Sequence, residues 1–479
     1  MKLKAILFIV LLFALNALNH LYAQESVCNC SDALKKLVVK IENEYPGFEE
    51  KTKDKVLYAS FKAQLTEQAS QTEKTNCFEL LKKYTAFFRD GHIWINPATT
   101  INTKGSASTE LVKIDIEKFR EKLKTNKDPL EGIWKNKFEW TGGVVYEIGI
   151  TKNSDGTYIG FVVSASSNFW QAKETKFKLF PGGKFEYYTF DKKLKTGTYE
   201  IYDHSIIYFK EARAAFVKEL PATHLTEEFT RRKVGEFYGF GIRQLSPKTT
   251  LITLPFFDYP FVKIIEEMVV NNQSLIANSS NLIIDVRGNS GGTDNAYQML
   301  LPYIMTNPIR SMGVEYLATQ TLIDGLGSYI KTVAQDKTKQ EEIEMVKRWI
   351  TLFEKDKGKF VNVNDQTFSI QKVDSSEKSP SQILVLTDKR VGSSAENFVM
   401  KCKQSKKVKV MGNVTSGGLD YASARFFNFG CPEYMLQLPT FRSLRLPDYP
   451  IDNIGLQPDL YLDKSVKDWL QFALDYLEK

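Results

Sequence analysis

The spacing of hydrophobic residues divides the chain into three regions with different patterns. In residues 31–90, apolar residues recur every three to four positions, which is the period of an amphipathic helix. This region predicts a small helical domain, with Ser31 as the cap of its first helix. A short strand-like run at 93–95 and a polar, loop-like segment at 97–112 follow it.

Residues 130–219 change to a two-residue period. Aromatic and polar residues alternate there in short runs, and turn sequences separate the runs: N-S-D-G at 153–156 and P-G-G at 181–183. This pattern predicts an antiparallel β domain, barrel-like in outline. A charged helix is predicted before it, at 114–125.

Residues 235–479 alternate between buried strands and helices. Mainly apolar runs predict strands at 250–254, 282–287, 383–387 and 408–412. Helical patterns cover 262–277, 294–306, a charged insertion at 310–360, and the residues after 396 up to about 403. Because strands that alternate with helices favour a mainly parallel sheet, the predicted fold class is an α/β core with an N-terminal helical domain and an antiparallel β domain.

The first residues predict export. Residues 1–23 begin with Lys2 and Lys4, continue as an apolar run from Ala5 to Ala17, and end in the small residue Ala23. This is the pattern of a secretory signal peptide. A membrane anchor is the alternative, but the run is shorter than the about 20 residues of a membrane span. We expect a periplasmic or secreted protein without stable membrane insertion after cleavage.

Four parts are therefore predicted along the chain. They are a signal peptide at 1–23, a helical domain at 24–128, an antiparallel β domain at 129–222 and an α/β domain at 223–479. Hydrophobic residues make up 43% and charged residues 25%, which excludes a disordered chain and a polytopic membrane protein. The net charge of +7 is spread over the chain, so no nucleic-acid partner is expected.

Export would allow the five cysteines to form disulfides. Cys77 is expected to pair with Cys28 or Cys30, and Cys402 with Cys431, which leaves one thiol. Zinc binding is the alternative. However, the spacing Cys28-x-Cys30 is too short for the usual zinc motif and no histidine lies near, so no metal site is expected.

A glycine-rich loop follows the strand predicted at 282–287. Its sequence at 285–292, D-V-R-G-N-S-G-G, lets the backbone turn sharply and present N–H groups to an anion or an oxyanion. An ordinary tight turn between a strand and a helix is the alternative. The loop is not a phosphate-binding P-loop, because the Gly-Lys-Ser/Thr ending is absent.

A serine stands where the next buried strand gives way to a helix. The sequence G-S-S-A-E at 392–396 places Ser393 at the carboxyl edge of the predicted sheet and at a helix N-terminus. That position suits a nucleophile, with the N–H of the next residue stabilising an oxyanion. Ser393 and Glu396 also match a helix capping box, and both interpretations can hold together.

A serine nucleophile usually needs a base, and histidine is the common choice. The four histidines are His20 in the signal peptide, His92 in a D-G-H motif, His204 in the β domain and His224 in a linker. His92 follows a glycine at a transition from helix to strand. A structural role is the alternative for each of them.

Together these motifs resemble the tail-specific protease superfamily of serine peptidases, which includes C-terminal-processing proteases, the tricorn protease core and retinoid-binding repeats of the eye. In that family a strand ends in D-x-R-x-N-x-G-G and a second strand leads to S-x-x-E. A third strand ends in G-x-x-T-x-G, here at 412–417, and a late G-[IV]-x-P-D segment follows, here as G-L-Q-P-D at 455–459. These motifs occur in order, D-G-H matches as well, and the resemblance covers about residues 85–95 and 235–465.

The resemblance implies a crotonase-like catalytic core and a peptidase that acts on protein or peptide substrates without a metal or organic cofactor. It implies that Ser393 is the nucleophile and Glu396 a supporting helix cap. The amide of Ser394 and an amide of the Gly291-Gly292 turn would hold the oxyanion. The alternative is a non-catalytic ligand- or peptide-binding protein on the same fold.

One departure from the family pattern bears on the mechanism. The Ser/Lys branch keeps a lysine just after T-x-G, where this chain has Gly418. The branch that resembles the tricorn core uses a histidine in the upstream motif and a late carboxylate, here His92 and Asp452. Gly91 replaces a serine and Asp452 a glutamate in that branch. A PDZ-type carboxylate loop is not recognisable in 97–240, so substrate choice does not follow from the resemblance.

Overall fold

The computed structural model describes residues 28–97, 109–136, 144–166 and 169–479. The predicted signal peptide at 1–23 and most of the predicted loop at 97–112 lie outside these residues. Within the described ranges no helix is both long and apolar enough to cross a membrane. The predicted four-part division of the chain stays a prediction.

The α-helices of the described residues are α1 (Cys30–Glu44), α2 (Phe48–Lys51), α3 (Lys55–Gln71), α4 (Cys77–Ala86), α5 (Ile116–Lys122), α6 (Glu227–Tyr238), α7 (Val262–Asn271), α8 (Gln273–Asn278), α9 (Leu301–Ile304), α10 (Gln320–Val333), α11 (Gln340–Lys355), α12 (Ser394–Cys402) and α13 (Trp469–Glu478). Short 3₁₀ helices cover Lys74–Asn76, Tyr259–Phe261, Asp294–Leu300 and Lys337–Lys339.

The strands are β1 (Trp94–Pro97), β2 (Gly132–Lys135), β3 (Tyr146–Lys152), β4 (Tyr158–Ala165), β5 (Thr175–Phe180), β6 (Lys184–Tyr188), β7 (Leu194–Tyr202), β8 (Ile206–Phe209), β9 (Ala214–Leu220), β10 (Gly241–Gln244), β11 (Thr249–Thr253), β12 (Asn281–Asp285), β13 (Ile309–Met312), β14 (Val314–Leu317), β15 (Phe360–Val361), β16 (Phe368–Gln371), β17 (Gln382–Thr387), β18 (Val408–Gly412), β19 (Tyr421–Ala422), β20 (Arg425–Phe427), β21 (Tyr434–Leu438), β22 (Phe441–Ser443) and β23 (Leu460–Tyr461).

The chain forms two compact units. The smaller unit has the bounds Met1–Ile101 and Ala424–Thr440, and the larger unit Asn102–Ser423 and Phe441–Lys479. In the smaller unit the helical period predicted for 31–90 is confirmed by α1, α3 and α4. Its three-stranded sheet has the order β1-β21-β20 with antiparallel pairs. Asn29, and not Ser31, caps α1, because its side chain accepts a hydrogen bond from Asp32 N at 2.9 Å.

Two disulfides lie in the smaller unit, and one differs from the predicted pairing. Cys30 pairs with Cys77, which is one of the two predicted alternatives. The predicted pair of Cys402 and Cys431 is wrong, because Cys431 pairs with Cys28. Cys402 is the free thiol and lies fully buried in the hydrophobic core of the larger unit. Burial raises the pKa of the Cys402 thiol, so this group stays protonated at neutral pH.

The antiparallel strands predicted for 130–219 are present and close into a barrel. Strands β2 to β9 follow one another around it, and β9 pairs with β2. The alternation of the sequence places one set of side chains inside the barrel. Fully buried aromatic side chains fill this interior, among them Trp134, Tyr146, Phe177, Phe185 and Phe209.

A six-stranded sheet confirms the predicted α/β core and its mainly parallel character. Its strand order is β10-β11-β12-β17-β18-β23, and only β10 runs antiparallel to its neighbour. One face packs against α7 and α12 and the other against α13. Because β12 and β17 are parallel neighbours, the loops that follow them leave the same edge of the sheet. These are the glycine-rich loop and the serine turn.

The segment predicted as one helix at 294–306 is a 3₁₀ helix, Asp294–Leu300, followed by the short helix α9. Pro302 occupies the start of α9, and its missing N–H fits a helix start but not a helix interior. The insertion predicted at 310–360 contains α10 and α11, as expected, together with β13, β14 and β15.

Candidate active site

Ser393 lies on a sharp turn between β17 and α12. Its backbone has φ 52° and ψ −125°, a region that residues with a side chain seldom adopt. Such conformations cost of order 1–3 kcal/mol and persist where the surroundings enforce them. The turn from strand to helix at a sheet edge is the arrangement that exposes nucleophilic serines in α/β hydrolases.

Glu396 holds this turn in place. Its side chain is fully buried and accepts the Ser393 amide at 3.1 Å. The same carboxylate accepts the Gly418 amide at 2.8 Å, the Gly417 amide at 2.7 Å and the Thr415 hydroxyl at 2.5 Å. Burial raises the pKa of Glu396, and the four donors oppose that rise. The predicted cap therefore joins the serine turn to the T-x-G loop.

The glycine-rich loop packs directly against the serine turn. A Cβ on Gly291 would lie 2.8 Å from Ser393 Cβ and 2.9 Å from Ser394 N, and a Cβ on Gly292 would lie 2.3 Å from the Phe257 carbonyl carbon. Both glycines also have positive φ, at 103° and 140°. Only glycine fits such close approaches and such dihedrals.

Two backbone amides, one in the glycine-rich loop and one in the serine turn, have no acceptor within the described residues. Gly291 N donates to Asn289 Oδ1 at 2.9 Å, so this amide is already committed. Among the described residues, the Gly292 and Ser394 amides donate to no protein acceptor. Ser394 is the first residue of α12, where backbone N–H groups lack partners within the helix. Of the predicted donors, the Ser394 and Gly292 amides are therefore uncommitted, whereas the Gly291 amide already has an acceptor.

Asn289 links the two segments, and it was not among the predicted site residues. It is fully buried, and its backbone oxygen accepts Gly392 N at 3.0 Å. Its side chain also donates to Leu254 O at 2.9 Å. The sequence did carry a sign of this role, because an asparagine recurs in the D-x-R-x-N-x-G-G pattern.

Asp452 lies in a buried polar network of the larger unit. Its Oδ1 accepts the amides of Leu419 at 3.0 Å and Asp420 at 2.9 Å. In return, the Asp420 carboxylate accepts the amides of Ile451 and Asp452 at 2.9 Å. Arg445 lies 3.2 Å from Asp420 Oδ1, and burial lowers the pKa of its guanidinium. Asp452 thus joins the late segment to the residues just after Gly418.

His92 belongs to the smaller unit, whereas the other predicted site residues belong to the larger one. Asp90 is buried beside it and accepts the His92 backbone N–H at 2.8 Å. The other oxygen of Asp90 accepts the Tyr45 hydroxyl at 2.8 Å. The His92 side chain is 14% exposed, and its Nδ1 lies 3.8 Å from Asp90 Oδ1. Asp90 and Tyr45 were not among the predicted site residues.

A possible metal-ligand cluster occurs at one place among the described residues, and it is in the smaller unit. It consists of Cys28, Cys431 and Glu433. The two sulfurs are bonded to each other in a disulfide, so they are not available as thiolate ligands.

Comparison with known proteins agrees with this α/β core. Residues 248–462 match the family model described as Peptidase family S41. This segment contains the sheet from β11 to β23, the glycine-rich loop, the serine turn and the late segment. This match confirms the resemblance of the matched residues to the tail-specific proteases.

Several solved structures resemble the chain at low sequence identity. Mature CPAF aligns with 12% identity and a TM-score of 0.47, over 91% of this chain and 92% of that chain. A putative peptidase from Parabacteroides merdae aligns with 12% identity and a TM-score of 0.39, over 94% and 98%. The tricorn protease aligns with 14% identity and a TM-score of 0.41, over 94% of this chain and 36% of that chain. No curated protein matches the chain.

Proposed function

We propose that the protein is a serine peptidase with Ser393 as its nucleophile. Ser393 Oγ attacks the carbonyl carbon of a peptide bond, and His92 accepts its proton. His92 then returns the proton to the departing amine, which leaves an acyl-enzyme on Ser393. A water molecule, deprotonated by His92, attacks the acyl-enzyme carbonyl; the ester bond to Ser393 breaks, and His92 returns the proton to Ser393 Oγ. The substrate class, proteins or peptides, follows from the family.

The observation that carries this proposal is the pairing of a strained serine with two uncommitted amides. Ser393 has φ 52°, and the amides of Gly292 and Ser394 come from two segments packed against each other. In acyl transfer, the tetrahedral intermediate places its negative oxygen between two such donors. Loss of one such donor typically lowers kcat by about 100- to 1,000-fold.

His92 is proposed as the base because the lysines nearest in sequence on the helix of the nucleophile are too far away. Lys401 and Lys403 are eight and ten residues beyond Ser393, about 12 and 15 Å along an ideal helix. Lys401 is also directed to Asp294, at 3.6 Å. At the position of the Ser/Lys branch, the Gly418 amide donates to Glu396. We propose Asp452 as a supporting carboxylate with a smaller contribution.

We also propose that the protein is exported to the periplasm or secreted. The proposal rests on the signal-peptide pattern at 1–23 and on two disulfides, Cys28–Cys431 and Cys30–Cys77, which form in oxidising compartments. The expected mature N-terminus is Gln24. Intact mass of the exported protein tests this, and retention of Met1 in a membrane fraction would contradict it.

The barrel does not favour the alternative of a non-catalytic ligand- or peptide-binding protein on the same fold. Its interior holds buried aromatic side chains of the protein itself. It also holds the ammonium of Lys176, which lies 4.2 Å from the Tyr146 ring and 4.3 Å from the Trp170 ring. Catalysis is favoured by the serine turn, where the strained Ser393 and the two uncommitted amides suit a reaction in which negative charge develops.

A fluorophosphonate probe and an unstructured protein substrate such as casein test the proposal. We expect the probe to label Ser393 and the protein to hydrolyse the substrate, with both lost in Ser393→Ala. Ser381→Ala is the matched control, because Ser381 lies exposed just before β17, at the other end of the same strand. Labelling at another serine, or hydrolysis that persists in Ser393→Ala, would contradict the proposal.

A further inference from the structure

We propose that Asp294 is a positioning residue that fixes the spacing between the two oxyanion amides. The inference rests on the proposed function, because it concerns how the same site holds its geometry. Asp294 follows Gly292 by two residues and begins the 3₁₀ helix after the glycine-rich loop. It does not approach the reacting atoms itself in this proposal; it acts through the loop.

Asp294 reaches from the glycine-rich loop to the helix of the nucleophile. Its Oδ2 accepts a hydrogen bond from Asn397 Nδ2 and lies 3.6 Å from Lys401 Nζ. Asn397 and Lys401 are four residues apart on α12, so they lie on the same face of that helix. We call Asp294, Asn397 and Lys401 the Asp294 cluster.

The surroundings of Lys401 make this link strong. Lys401 is only 7% exposed, and its ammonium lies 5.1 Å from the ring centre of the fully buried Tyr297. An ion pair with one partner out of water is weakened less by solvent than a surface pair. Removing Asp294, whose own side chain is 42% exposed, would leave the buried Lys401 ammonium uncompensated, which is costly. The loop is therefore held against α12 by more than a surface contact.

The two amides need such a link because they belong to different segments. The Gly292 amide is in the loop after β12, and the Ser394 amide is in the turn after β17. On one side of the loop, Asn289 O accepts Gly392 N at 3.0 Å. On the other side, the Asp294 cluster joins the loop to α12. Gly291 and Gly292 lie between these two links. The same residues are also held to Phe257, whose N–H donates to Gly291 O at 3.1 Å and whose carbonyl accepts Thr293 N at 2.8 Å. Loss of the Asp294 link would therefore let the loop shift together with Phe257 relative to α12.

A small shift matters because oxyanion stabilisation depends on position. A displacement of about 1 Å in a catalytic group can cost about 100-fold in rate. Such a loss appears in kcat, because the donors act on charge that develops in the transition state, whereas ground-state binding is little changed. This separates positioning from a role in substrate binding.

The experiment compares Asp294→Ala, Asp294→Asn and Lys401→Met with Lys403→Met. Lys403 lies two residues beyond Lys401, at the C-cap of the same helix, and pairs with Asp459, outside the Asp294 cluster, so it is the matched control. We expect kcat to fall by about tenfold or more in Asp294→Ala and Lys401→Met, with KM within about threefold. Asp294→Asn keeps an acceptor for Asn397 and should lose less. Lys403→Met should resemble the wild type.

Affinity for a peptide boronate gives a second readout, because the boronate forms a tetrahedral adduct with the serine. Its inhibition constant should rise in parallel with the loss of kcat/KM in the Asp294 and Lys401 variants. A rise in KM with unchanged kcat, or boronate affinity unchanged while kcat falls, would overturn the proposal. Equal losses in Lys403→Met would overturn it as well, since they would reflect general destabilisation.

Hydrogen exchange of residues 288–293 separates failure of this inference from failure of the proposed function. If the wild type neither hydrolyses substrate nor labels at Ser393, the proposed function fails. In that case, hydrogen exchange of residues 288–293 still tests whether Asp294 holds the glycine-rich loop against α12, because this measurement needs no activity. Faster exchange of this segment in Asp294→Ala than in Lys403→Met would support the link, and equal exchange in the two variants would overturn it.

Discussion

The turns that carry the proposed nucleophile and the proposed base are built differently. Both contain a buried carboxylate that accepts a backbone N–H of the functional residue: Glu396 for Ser393 and Asp90 for His92. At the serine turn the positive φ falls on Ser393 itself. At the histidine turn it falls on Arg89, just after α4, where a left-handed residue is a common way to end a helix.

The two positive φ angles therefore have different causes: one follows from the local helix end, and the other depends on contacts with distant residues. The conformation of Arg89 is explained by the end of a helix, whereas that of Ser393 is maintained by contacts from other segments. Glu396 accepts four donors, and three of them come from residues 415–418. The serine turn should therefore be sensitive to substitutions at Glu396, and the histidine turn more tolerant of substitutions at Asp90.

The largest effect is expected from His92→Ala. Without a base, hydrolysis should fall by about 100- to 10,000-fold while the fold survives. In the wild type, activity should rise with pH through about 6 to 7, the ordinary range for a histidine side chain. His224→Ala is the control, because His224 is 78% exposed and pairs with Asp203. Normal turnover in His92→Ala, or a rate controlled by a lysine-like pKa, would show that another residue is the base.

Replacing each buried carboxylate by its amide, in Glu396→Gln and in Asp90→Asn, tests whether the serine turn is the more sensitive of the two turns. In Glu396→Gln, one of the two oxygens becomes an NH2 group, so donors from the protein would face another donor. Each buried donor left without an acceptor costs about 1–3 kcal/mol. We expect kcat to fall by about 100-fold and fluorophosphonate labelling of Ser393 to slow in parallel.

Asp90→Asn should cost much less. Its oxygen can still accept His92 N–H, and its NH2 can donate to the Tyr45 hydroxyl, which is able to accept. We expect activity within about tenfold of the wild type, with the remaining loss due to the missing negative charge near His92. Steady-state kinetics of Asp90→Asn and Glu396→Gln measure the two losses of activity. If Asp90→Asn loses as much activity as Glu396→Gln, the histidine turn is as sensitive to substitution as the serine turn, which contradicts the difference proposed between them.

The sequence predicted local features of the site well. Periodicity gave the parallel sheet, and short motifs located the glycine-rich loop and the Ser393 turn. These features depend on neighbouring residues, so a short window contains them. Glu396 was expected to cap a helix, and its partners at 415–418 were not expected. A local pattern fixes which groups are present but not which distant loop they contact.

Features that depend on distant contacts were missed. Arg445 and Asp420 lie 25 residues apart, and no motif joins them to Asp452. The pairing of Cys28 with Cys431 spans 403 residues, and spacing alone cannot choose among the possible pairings of five cysteines. The link from Asp294 to Lys401 requires the packing of two segments that follow different strands.

Asp452→Asn should have a smaller effect than substitutions at His92 or Glu396. The remaining oxygen can still accept the amides of Leu419 and Asp420, so the local structure should be kept. We expect a loss of less than about tenfold in kcat/KM, due to the missing charge. Asp452→Ala should lose more, because both amides would lose their acceptor. A loss in Asp452→Asn equal to that of His92→Ala would place this carboxylate on a par with the base.

The smallest effect on the chemistry of Ser393 is expected from removing the Cys28–Cys431 disulfide. This bond lies wholly within the smaller unit, whereas Ser393, Glu396 and the glycine-rich loop lie in the larger one. In Cys28→Ser/Cys431→Ser, the free energy of unfolding should fall by about 2–4 kcal/mol. Fluorophosphonate labelling of Ser393 below the unfolding transition should nevertheless stay near the wild-type rate, because the contacts that support the serine turn are intact.

Cys402→Ala is the control for loss of a buried thiol without loss of a disulfide. Labelling that falls in the double variant but not in Cys402→Ala would mean that the serine turn depends on the smaller unit, and that its support is not confined to the contacts of Glu396.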